Sequence, residues 1–202
     1  VEHLAQVYRE EHAAEVKKPW LPPLGAMLES PYTREIRDSA SFEKGDYTLG
    51  LGMIDVPEEQ LQEEYTLDLM KNGHLLYMAS GGYGKTMLLT QIILGLSMKN
   101  AVKNLNFYLI DLGNSALIPL RGLPHVADYM GLDDTEKLEK LQKLILQEIS
   151  YRKRLLAKAM AQNIHVYNES QKEPLKVLVI AVDNYDVIGE LGDAMTSFLQ
   201  KT

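Results

Sequence analysis

Ala79-Ser80-Gly81-Gly82-Tyr83-Gly84-Lys85-Thr86 is the stretch on which the fold of this chain turns. A loop that holds phosphate needs small residues, so that successive backbone N–H groups converge on the oxygens, and a helix N-terminus behind them. Gly81 and Gly82 supply the curve, Tyr83 sits at the crest, and Gly84-Lys85-Thr86 closes the motif. In that arrangement the lysine reaches the β and γ phosphates of ATP, and the threonine hydroxyl ligates Mg²⁺. Ala79 stands where the usual pattern opens with glycine. Alanine is small but disfavours positive φ, which predicts a loop that closes less readily on phosphate.

The flanks carry the same message. His74-Leu75-Leu76-Tyr77-Met78-Ala79 reads as a buried strand feeding the loop. From Lys85 to Met98, Leu88, Leu89, Ile92, Ile93 and Leu96 recur at helical spacing. A second strand is predicted over 105–111, ending in Asp111, and a long helix from about 134 to 161. Leu138, Leu141, Ile145, Ile149, Arg152 and Leu156 form its stripe, and Asp133-Asp134-Thr135-Glu136 its N-terminal capping groups. The run Leu175 to Val182 suits a central parallel strand covered on both faces. Alternating strand and helix predicts an α/β P-loop NTPase fold (RecA/FtsK-like), with a mainly parallel sheet flanked by helices. Short strands and turns between 32 and 69 precede it as a small strand-rich segment. Residues 1–24 read as a charged helix and a Pro-rich path, Lys17-Lys18-Pro19-Trp20-Leu21-Pro22-Pro23-Leu24. That stretch is either a linker from a preceding domain or a terminus packed on its own domain. Residues 25–202 are the ATPase-fold domain, expected to be incomplete at its C-terminus.

Val177-Leu178-Val179-Ile180-Ala181-Val182-Asp183 has the form of a Walker B strand, whose last aspartate joins the Mg²⁺ shell. Thr86 and Asp183 are therefore the candidate metal residues, although Asp183 also fits a simple turn cap. Where a hydrolytic enzyme carries glutamate to activate water, this chain has Asn184, which cannot take a proton. No catalytic base is assigned. Asp111 points to the carboxyl edge of the sheet, where ligands bind in open α/β folds, or else caps a turn. His125 lacks a partner at metal-ligand spacing, and Tyr151-Arg152-Lys153-Arg154 is a basic patch on the long helix.

Composition sets outer limits. A net charge of −7 leans against a DNA-gripping role, because affinity for a phosphate backbone comes from lysine and arginine. The chain contains 0 cysteines, which excludes a disulfide framework or a thiolate metal site. No apolar run reaches the roughly 20 residues that span a bilayer, and no signal peptide is visible at Val1-Glu2-His3-Leu4.

On these residues the chain resembles the FtsK/SpoIIIE group, and more narrowly the last ATPase domain of the EssC/EccC proteins of type VII secretion. Leu51-Gly52-Met53-Ile54-Asp55-Val56-Pro57, Gly82-Tyr83-Gly84-Lys85-Thr86, Gly122-Leu123-Pro124-His125-Val126, Glu148 with Tyr151-Arg152-Lys153-Arg154, and Val182-Asp183-Asn184-Tyr185-Asp186 carry the resemblance in order. It implies a cytoplasmic module of a membrane-anchored protein of Gram-positive bacteria, with sibling ATPase domains in the same polypeptide. It further implies export of small WXG100-type proteins and assembly as hexamers. Ala79 and Asn184 then predict weak Mg-ATP binding and little autonomous hydrolysis. A fully active motor would release phosphate steadily, and an FtsK-like DNA translocase would bind duplex DNA in a salt-sensitive way.

Overall fold

The computed structural model describes residues 20–25 and 45–191, with His3, Gln6, Val7, Met195, Ser197 and Phe198 as isolated positions. Most of the expected N-terminal helix, residues 26–44 and much of the tail after 191 lie outside the described residues. The chain divides into two compact units, one of residues 1–30 with 50–66 and one of residues 31–49 with 67–202.

The smaller unit is built on a hairpin. Strand β1 (Thr48–Val56) and strand β2 (Leu61–Asp68) pair across a 3-10 turn at Pro57–Glu59. So short a connection requires antiparallel strands. Gly50 lies under the Glu64 side chain, and any Cβ there would collide with the Glu64 carboxylate. Residues 20–25 form neither helix nor strand, and Pro22 and Pro23 within them fix φ and lack an N–H donor. Gln62 Nε2 donates to the Pro22 carbonyl at 2.8 Å and ties that segment to the hairpin.

The larger unit holds helices α1 (Leu69–Asn72), α2 (Lys85–Lys99), α3 (Thr135–Lys158) and α4 (Ile164–Ser170). Its strands are β3 (Leu105–Asp111), β4 (Val126–Gly131) and β5 (Val177–Asp183), all parallel, in the order β4-β3-β5. Parallel strands need crossovers, and α3 with α4 supplies the one that leads from β4 past β3 to β5. Side chains alternate across β3. Tyr108 and Ile110 face α3, where Ile110, Met130, Leu138, Leu141 and Ile145 form one buried cluster with Ile188 and Phe198. Leu105, Phe107 and Leu109 project to the opposite face and are fully buried.

Three sequence expectations are corrected, and one strand is added. Residues 74–79 form no strand; they are largely exposed, Met78 at 81%. An apolar run becomes a strand only where a partner offers hydrogen bonds, and among the described residues none does. The central strand is β3, while β5 lies at the flank and is only half-buried along most of its length. Residues 126–131, to which the sequence reading assigned no element, form β4, which the pairing of Tyr108 with Asp128 and Ile110 with Met130 makes plain. Finally, Asp134 stands at the N-cap position of α3 yet makes no cap bond; its Oδ2 accepts from the Gly131 N–H at 2.9 Å.

That backbone bond, reinforced by Lys137, holds the Asp134 carboxyl below the usual carboxylate range although solvation effects oppose it. The stability it contributes is complete above the ordinary carboxylate pKa of about 4 and fades as pH falls through the lowered value. Asp134→Asn is therefore expected to flatten the acid-side loss of melting temperature, read from thermal scans across pH. An acid limb as steep as that of the parent chain would exclude this role.

A buried polar junction anchors the base of the unit. Asn100 is fully buried; its Nδ2 donates to Asp46 O at 2.7 Å and Leu96 O at 2.9 Å, and its Oδ1 accepts from Asp46 N at 2.9 Å. Its own carbonyl lies 2.7 Å from His125 Nε2, which must carry the proton to donate there. His125 is thus a packed histidine whose Nδ1 has no partner among the described residues.

Candidate nucleotide-binding site

The sequence places Gly81, Gly82 and Gly84 in a loop that only glycine follows comfortably. Gly82 has φ 81° and Gly84 φ 75°, both left-handed, and Gly84 is also the N-cap of α2. A Cβ at any of the three would meet nothing within 4 Å. Open space and left-handed backbone thus go together, so the requirement at Gly82 and Gly84 is conformational. Tyr83 stands exposed at the crest at 72%, its carbonyl accepting from the Tyr77 hydroxyl at 3.4 Å. The first N–H groups of α2 have no helical partner and carry the positive end of the helix dipole.

Two side chains complete the loop. Lys85 Nζ donates to Ala79 O at 2.8 Å and Ser80 O at 3.2 Å, folding back over the mouth of the turn. Thr86 Oγ1 donates to Asp183 Oδ2 at 2.8 Å. Residues 97 positions apart are brought together because α2 starts beside the carboxyl end of β5. Hydroxyl, carboxylate, ammonium and free helix N–H groups are the donor set that a magnesium–nucleotide phosphate requires. The residues therefore fit the group. Lys85, with the backbone of 81–86, would hold phosphate, and Thr86 with Asp183 would hold Mg²⁺.

Asp111 shares this edge, for it is the register partner of Asp183. Its carboxylate is buried and consumed by its own loop: Oδ1 accepts from Gly113 N at 3.2 Å, and Oδ2 from Leu117 N at 2.9 Å. The Tyr129 hydroxyl adds a third contact at 3.4 Å. Burial raises the Tyr129 phenol above its ordinary value, and the Asp111 charge adds to this against a hydrogen bond with Ser115. The phenol stays protonated and donates. Asp111 is thus a loop anchor beside the site. Ser115 in that loop and Asn184 after β5 are both non-glycine residues at positive φ, 62° and 57°.

The remaining sequence candidates lie elsewhere. Arg152 pairs along its own helix with Glu148 at 2.7 Å, while Lys153 and Arg154 are exposed. Asp186 is exposed in the 3-10 turn Tyr185–Leu191. Gly113, Ser115 and Tyr129 were not singled out from sequence; the one available signal was a glycine two residues after a strand-ending aspartate.

The sequence pattern of the FtsK/SpoIIIE family matches residues 34–195. The chain is 34% identical over 201 residues to the ESX secretion system protein EccC of Geobacillus thermodenitrificans, covering 99% of this chain and 13% of that protein. It is 35% identical over 192 residues to the type VII secretion system protein EssC of Staphylococcus aureus strain MRSA252, covering 94% of this chain and again 13% of the relative. A solved structure of EssC ATPases 2 and 3 from Geobacillus thermodenitrificans superposes with a TM-score of 0.78 at 35% identity, over 89% of this chain and 33% of that one. The chain therefore spans about an eighth of the length of the full relatives it matches.

Proposed function

The chain belongs to the FtsK/SpoIIIE family, and on that premise we propose that it is a nucleotide-binding module of a type VII secretion ATPase. The observation that carries this reading is the Thr86–Asp183 contact at 2.8 Å. It joins the end of the glycine loop to the end of an apolar strand, the two points from which a magnesium ion is held. When bound, Mg-ATP supplies binding energy and a hydrolysable anhydride. The chain's own residues bind and orient it: Gly81, Gly82, Tyr83 and Gly84 shape the cradle, Lys85 meets phosphate, and Thr86 and Asp183 take the cation.

Chemistry beyond binding is expected to be slow. Asn184 cannot accept a proton, and no other base is assigned beside Asp183. Lys85 is also engaged by Ala79 and Ser80 carbonyls, contacts that phosphate must displace. Both features favour a weakly binding, regulatory module over an autonomous motor. Residues 1–24 then lead in from a preceding domain, and residues 25–202 form the ATPase module. By analogy with its relatives, the module serves export of WXG100-type proteins beside sibling ATPase domains, in a hexamer. It sits on the cytoplasmic side of a Gram-positive membrane, where ATP is available. The acidic charge of −7 argues against DNA as cargo.

Calorimetric titration tests the reading. Micromolar Mg-ATP binding is expected, weaker by about tenfold when the cation is chelated, because Thr86 and Asp183 then lose their ligand. Phosphate release is expected at background. Absence of heat with Mg-ATP at millimolar ligand would overturn the proposal, and steady turnover would restore the motor reading.

A further inference from the structure

Asn184 follows Asp183 directly, and its side chain has a defined seat. It lies on the bare backbone of Gly113, where a Cβ would stand 2.7 Å from both Asn184 Cγ and Nδ2 and 2.9 Å from Oδ1. Real Cβ atoms essentially never make such contacts, so a side chain at position 113 would displace the Asn184 carboxamide. Gly113 is itself placed by Asp111 through the 3.2 Å bond to its N–H. The seat and Asp183 are also locked together, since Leu112 N donates to Asp183 O at 3.2 Å. At φ 57°, Asn184 occupies left-handed backbone that asparagine tolerates and longer or branched residues resist. Among the described residues its carboxamide makes no hydrogen bond, although it is half-buried.

We infer that Gly113 is a positioning residue for nucleotide binding: held by Asp111, it seats the carboxamide of Asn184, the residue that follows Asp183, so that the amide contacts the terminal phosphate of ATP or the water ordered on it. The inference rests on the nucleotide-binding reading above. Its chemistry follows from position. Lysine and cation act at the β and γ phosphates in such a loop. An unbonded amide next to the cation's carboxylate therefore meets the group that distinguishes ATP from ADP. A neutral amide orients water or phosphate without taking a proton. Gly113 thus bears on which nucleotide is preferred, without itself touching it.

The test is a calorimetric comparison of Mg-ATP and Mg-ADP on the whole 202-residue chain, with melting temperature recorded for every variant. Gly113→Ala is expected to weaken Mg-ATP about tenfold and Mg-ADP less than about twofold, the loss of one or two hydrogen bonds. Asn184→Gly is expected to do the same while easing the backbone, so it reads the proposal even if Gly113→Ala folds poorly. The double variant is expected to be no weaker than either single one, because both act through one amide. Equal losses for ATP and ADP, additive losses, or no loss in Asn184→Gly would each overturn the inference. If the parent chain binds Mg-ATP through Lys85 but Gly113→Ala leaves the preference for ATP over ADP unchanged, only this inference falls. If the parent chain binds neither nucleotide, the underlying reading falls with it.

Discussion

Lys85→Ala is expected to weaken Mg-ATP binding by at least about a hundredfold, since a charged hydrogen bond to phosphate contributes about 1.5–3 kcal/mol and the ammonium reaches two phosphates. The fold should survive. Among the described residues half-buried Lys85 bonds only to the carbonyls of Ala79 and Ser80, and these regain water when the side chain is removed. The melting temperature of the variant without ligand should lie within about 2 °C of the parent, as for surface substitutions. Calorimetry with Mg-ATP checks the first statement and a thermal scan the second. Retention of affinity within a few-fold would mean that the loop does not grip phosphate, and the family resemblance would then describe shape without ligand.

The second large effect concerns stability. Asn100→Ala removes three hydrogen bonds from a side chain that is fully buried, and leaves the N–H and carbonyl of Asp46 without their partner. At about 1 kcal/mol per bond, with unsatisfied groups adding to the cost, the loss is about 3–5 kcal/mol. For a chain of this size that lowers the melting temperature by roughly 10 °C. The junction ties the end of α2 to the entry of β1, so the damage should spread as early exchange of amides near Asp46 and Asn104. Asn100→Asp provides the control: it keeps the acceptor for Asp46 N but loses both donors and buries a charge, and is expected to be at least as damaging. A melting temperature unchanged by either substitution would show that the junction is dispensable.

Much of the site could be read from residues alone. Glycine spacing, Lys85-Thr86 and the apolar strand ending in Asp183 each carry a local physical requirement: left-handed turns, a helix start, a continuous apolar run. Such requirements depend on neighbours a few positions away, which a sequence displays. The amphipathic stripe of α3 was legible for the same reason, and Leu138, Leu141 and Ile145 are buried as its period demands. The run at 74–79 shows the limit. Its apolar character is consistent with a strand, yet strand pairing is a property of two segments, and composition names only one of them.

The left-handed seat of Asn184, the glycine beneath it and the anchoring of that glycine by Asp111 were not visible in sequence. Gly113 and Asn184 stand far apart in the chain and meet only because β3 and β5 run parallel with Asp111 opposite Asp183. The junction at Asn100 is of the same kind, assembled from Asp46, Leu96 and His125. By itself, the order of residues determined that this chain builds a phosphate-type loop in a parallel α/β frame, because backbone freedom and hydrophobic period are local. Tertiary structure alone decided which polar groups face that loop, because hydrogen bonds between distant strands exist only once register and crossover have brought them within about 3 Å.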